Sequence, residues 1–135
     1  MQKEGGFFLN RIKAIKYAAK GFWILITSEH SIIAQTSIGI IMTIIGFLMH
    51  LSATEWMFQI MAIGLILVAE SLNTAIEKMA DFIHPEYHKQ IGRIKDISAG
   101  AAFFAAIIAV IIGLIIYVPK FIAQFNHSHI NFIFL

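Results

Sequence analysis

Four oxygen-bearing side chains, Glu70, Asn73, Glu77 and Asp81, enter an otherwise apolar stretch at intervals of three, four and four residues. On a helix these positions fall at roughly 0°, 300°, 340° and 20°, an arc of about 80°. One face carrying three carboxylates and an amide can hold a hard cation through oxygen, grip phosphate through that cation, and accept a proton from an alcohol. An ionised group beside hydrocarbon costs about 2.5–3.5 kcal/mol on insertion scales unless it is paired, protonated or bound, so its presence in an apolar helix marks a candidate for function.

Two further motifs stand at the start of apolar runs: Glu29 before one, and Lys95-Asp96 before another. Two acids with a divalent ion, a further carboxylate as proton acceptor and a lysine set against phosphate charge meet the needs of phosphoryl transfer, where positioning and charge stabilisation supply most of the catalysis. The sequence has no cysteine, which excludes disulfides, thiolate metal sites and cysteine nucleophiles and favours oxygen-bound cations such as Mg²⁺. His84 and His88, four apart across Pro85, read as loop residues rather than metal ligands, and His127 and His129 have no acidic residue near them.

The scaffold for these groups is a membrane. The 135 residues are 59% hydrophobic and 13% charged, with a mean hydropathy of +0.79, a balance that a small soluble domain cannot bury. The expected fold is all-α, a single domain over 1–135 with three transmembrane helices and an N-terminal amphipathic surface helix. That surface helix is expected over about 6–27, where Phe8, Ile12, Ile15, Ala19, Phe22 and Ile26 share a face and Asn10, Lys13, Lys16, Tyr17 and Lys20 take another. The spans are expected at about 31–49, 55–83 and 97–118. Gly39 and Gly46 give the first span a small face for close approach, and the run 98–102 does the same for the third. Pro85 ends the second span, 84–93 is a loop, and Pro119-Lys120 marks the exit of the third. The tail 119–135 is too short to span.

Nine of the ten Lys and Arg residues lie before the first span, near the end of the second, or between the second and third, which places the N-terminus and the acid face in the cytoplasm and the C-terminus outside. No cleavage site follows a clean apolar region, so the chain is expected to be unprocessed. A net charge of +2 set beside apolar segments fits anionic headgroups as partners and argues against nucleic acid.

The segment AESLNTAIEKMADFIHPEYHKQIGRIKDISAGAA, residues 69–102, resembles the signature region of the prokaryotic diacylglycerol kinase family, and the resemblance extends over roughly 7–118. It implies a small membrane kinase, at the cytoplasmic membrane, moving the γ-phosphate of ATP to a lipid hydroxyl. By matching position it implies Glu70 as catalytic base, Asn73 beside it arranging the acceptor hydroxyl, and Glu29 and Glu77 as ligands to Mg²⁺-nucleotide. Lys95 and Asp96 would bind ATP, with Asp81, His88 and Gly92 at the nucleotide side and Tyr17 joining from the surface helix. Family members are homotrimers with sites between subunits, and one three-span chain is small for enclosing two substrates.

Both diacylglycerol and undecaprenol are phosphorylated within the family, and the segment 95–101 looks slightly more like the undecaprenol group. Two departures stand out: 30–35 lacks the Arg that many relatives have after the acid, and Asn10-Arg11 sets the basic residue of the surface helix one place later. Neither a GxxxxGK[ST] loop nor the motif set of protein kinases is present, which argues against a P-loop ATPase. Two other readings compete. One is a packing seam satisfied by Lys or Arg from a neighbouring helix. The other is a proton or ion transporter using Glu70 and Glu77 as a relay, which would need polar groups through spans whose outer halves are almost wholly apolar.

Overall fold

A computed structural model describes residues 6–133, and their side chains as far as Phe125. Lys3 and the side chains of His127 and His129 therefore lie outside the described residues. The described chain forms four helices: α1 (Phe7–Ser28), α2 (His30–Leu48), α3 (Ala53–Ile83) and α4 (Lys89–Ile133). Three of them, α2, α3 and α4, are long and apolar enough to cross a membrane.

The breaks between helices are chemically specific. Glu29 alone separates α1 from α2: its backbone is extended, with φ −99° and ψ 109°, and it caps both helices. The α2–α3 turn closes with paired bonds from Leu51 N–H to the Gly46 carbonyl and from His50 N–H to the Phe47 carbonyl. This pattern requires a left-handed residue, supplied by His50 at φ 50°. Ser52 and Glu55 then form a reciprocal capping box that starts α3.

Antiparallel packing of α2 on α3 depends on the two glycines expected to permit it. A Cβ at Gly39 would meet Ile63 Cγ2 at 3.0 Å, and one at Gly46 would meet Trp56 at 2.9 Å. Of the small run opening the third span, Ser98 and Ala102 are buried, together with Ala105 one turn on, whereas a Cβ at Gly100 would meet nothing within 4 Å. The α3–α4 pair is tied at three heights: Asp81 to Lys95 at 2.9 Å, Gln59 to Tyr117, and Glu55 to Lys120 at 3.1 Å. Even so, no large side chain is fully buried among the described residues, and many Ile, Leu and Phe side chains face outward.

The third spanning helix differs from its expected bounds. It begins at Lys89, eight residues earlier, where His88 Nδ1 accepts the Gln90 N–H and the His88 carbonyl accepts the Gly92 N–H. It also runs through Pro119 to Ile133, so the helix itself does not stop at Pro119-Lys120 and residues 119–133 are helical. Proline removes one backbone donor from the helix, and Lys120 beside it is the residue that pairs with Glu55.

Candidate active site

The height of the acid face follows from the α2–α3 register. Gly39 lies against Ile63, so ten residues back along α2 and ten forward along α3 bring Glu29 level with Asn73. The 19 residues of α2 span about 28 Å, close to a hydrocarbon thickness of about 30 Å. Glu29 and Asn73 therefore stand at one edge of the apolar layer, with Glu70 one turn inside it. The last ten residues of α3 extend about 15 Å beyond.

At this edge the expected residues meet in pairs. Asn73 Nδ2 donates to Glu77 Oε1 at 3.1 Å, fixing that carboxylate and leaving its second oxygen for another partner. Asn73 Oδ1 is buried and has no hydrogen-bond partner. Asn73 also lines a groove of about 420 Å³ between α3 and α4, walled by Leu72, Ile76, Ile97 and Ser98. Glu70 is half-buried and makes no hydrogen bond or ion pair with a described residue. Glu29 is paired with Lys78 Nζ at 3.1 Å.

Lys95, expected at phosphate, is bonded to Asp81 beyond the apolar edge, and Asp96 beside it is exposed. His88 caps α4, its ring 5.2 Å from that of His84, while His84 Nδ1 lies 2.9 Å from the Glu86 carbonyl; Gly92 follows in the first turn of α4. Tyr17 stands apart on α1, 71% exposed. No three His, Asp or Glu side chains converge as a metal site among the described residues. Glu29 and Glu77 are oxygen donors of the kind Mg²⁺ prefers, and Mg²⁺ commonly completes its shell with phosphate oxygens and water, so the donor set fits the ion as a partial one.

A model of the prokaryotic diacylglycerol kinase family matches residues 16–117. The chain belongs to the prokaryotic diacylglycerol kinase family. It is 38% identical over 113 residues to the undecaprenol kinase of Bacillus subtilis (strain 168), covering 83% of this chain and 92% of that one. It is 32% identical over 104 residues to the diacylglycerol kinase of Escherichia coli (strain K12), with 77% and 85% covered. The diacylglycerol kinase of Synechocystis sp. (strain ATCC 27184 / PCC 6803 / Kazusa) is 29% identical over 115 residues, 84% of this chain and 66% of the relative. The family is one of lipid kinases, and three helices of spanning length make this member an integral membrane protein.

Within this member of the family, three groups escaped the sequence reading. Lys78 is the partner of Glu29. Gln59 and Tyr117, both buried, form a polar tie in the half of the bundle far from Glu70, where Gln59 Nε2 donates to the Met42 carbonyl at 3.0 Å. A lone amide in an apolar helix was the available signal for that tie. A relay finds no route along α3, because every residue from Ile60 to Ala69 is apolar.

Proposed function

We propose that this kinase transfers the γ-phosphoryl group of ATP to the primary hydroxyl of a membrane lipid, with undecaprenol favoured over diacylglycerol. The observation that carries the reading is the pair of unmet polar groups at the edge of the apolar layer: the carboxylate of Glu70 and the buried Oδ1 of Asn73. A lipid alcohol has its hydroxyl at that depth and its body in hydrocarbon. The greater identity to the undecaprenol kinase supports the choice of acceptor.

In the reaction Asn73, beside Glu70, arranges the acceptor hydroxyl, and Glu70 takes its one proton. The lipid oxygen forms a bond to the γ-phosphorus as the bond to the bridging oxygen of ADP breaks. Glu29 and Glu77 would hold Mg²⁺, which when bound neutralises phosphate charge. Lys95 and Asp96 bind nucleotide at the head of α4, near Asp81, His88 and Gly92, with Tyr17 brought in by α1. The proposal includes one kinase domain, α1 lying as an amphipathic helix in the interface, a homotrimer, and a cytoplasmic N-terminus and site with the far end of α4 outside. The outward apolar side chains support burial against lipid and other copies. Excess Lys and Arg on the Glu29 side supports the orientation.

The test is phosphorylation by purified protein in mixed micelles with ATP and Mg²⁺, offering undecaprenol and diacylglycerol separately. Preferred turnover of undecaprenol is expected. Well-folded protein that phosphorylates neither lipid would overturn the reading.

A further inference from the structure

Lys78 has no part in the chemistry proposed above, yet it occupies a decisive place. Its Nζ lies 3.1 Å from Glu29 Oε1, so an ammonium sits on one of the two carboxylates assigned to the cation. Helical side chains lean toward the N-terminus, which brings Lys78 back toward the level of Asn73 and Glu29. The other nearby lysine, Lys95, is engaged with Asp81, and Glu77 is held by Asn73. Glu29 therefore receives its positive charge from Lys78.

The two ends of this pair differ. The Glu29 side chain is 15% exposed, sheltered at the α1–α2 corner, while that of Lys78 is 66% exposed. A lysine with its stem in water gives up such a contact readily, since exposed ion pairs shift an equilibrium by about fivefold at most. A divalent ion brings twice the charge to the same oxygen.

We propose that Lys78 is a built-in competitor for the cation site. It neutralises Glu29 when the site is empty, weakens binding of a bare divalent ion, and turns onto polyphosphate charge when the ion arrives with nucleotide. The consequence is selectivity for the metal–nucleotide complex over free metal. This inference rests on the reading of Glu29 as a cation ligand.

Its test uses the full chain in detergent, free of nucleotide, titrated with Mn²⁺ as the probe while free Mn²⁺ is followed by electron paramagnetic resonance. Lys78→Met and Lys78→Gln should each bind Mn²⁺ about three to five times more tightly than the parent, whereas Lys78→Arg should match it. Glu29→Gln should bind weakly, and adding Lys78→Met to it should change nothing. Unaltered or weaker Mn²⁺ binding in both neutral variants, with Glu29→Gln still weak, would overturn the competition. If Glu29→Gln binds Mn²⁺ like the parent, the ligand assignment itself fails, and the inference falls with it.

Discussion

At the end of the bundle where α3 begins, Glu55 meets Lys120 and Ser52, while Gln59 meets Tyr117 and the Met42 carbonyl. At the other end Glu70 has no partner among the described residues, and Asn73 leaves a buried oxygen unmet. A buried acceptor without a donor costs about 1–3 kcal/mol, so the two ends of one helix pair have been treated differently. Polar groups that satisfy one another hold helices together. Those left unmet at the edge of the apolar layer are open to a ligand, and the proposed chemistry is set there and not at the Gln59–Tyr117 contact.

The contrast breaks most visibly at Glu70. Glu70→Gln should lower lipid phosphorylation by about 10²–10⁴-fold while leaving the melting temperature unchanged; a variant that turns over normally would remove the base from the open end. Glu77→Gln comes next, with an expected loss of about 10–100-fold in Mg²⁺-dependent nucleotide affinity, read by titration with a fluorescent analogue. At the closed end the effects move from activity to stability. Gly46→Ala forces a methyl against Trp56 and should destabilise the fold by about 1–3 kcal/mol in a denaturation series. Tyr117→Phe should cost about 0.6–1.7 kcal/mol by the same measurement with turnover retained. Loss of turnover in a folded Tyr117→Phe protein would erase the distinction between the ends.

Much of this contrast can be read in the residues themselves. Acid and amide groups at helical spacing place Glu70, Asn73 and Glu77 on one face, and the order of the helices follows from hydropathy. Gly39 and Gly46 announce the close approach of α2 to α3, because only a missing Cβ lets Ile63 and Trp56 come so near. The ends of α4 were harder to read. Pro119 is a stop signal by local rules, yet α4 runs through it. Partners were the least legible of all: that Lys78 reaches Glu29, or that Tyr117 reaches Gln59, depends on the register between helices distant in sequence, which local spacing does not encode.

The three ties between α3 and α4 also determine what kind of motion the bundle allows. Lengthwise sliding would break an ion pair near each end and the amide–phenol contact between them, so shear is the costly coordinate. The last ten residues of α3, extending past Asn73, are bound through Asp81 to Lys95 near the start of α4 and form a single lever with it. The part of α3 beyond the apolar edge is therefore held in register with the head of α4 by a contact that salt weakens, whereas the far tie between Gln59 and Tyr117 is buried and does not depend on salt.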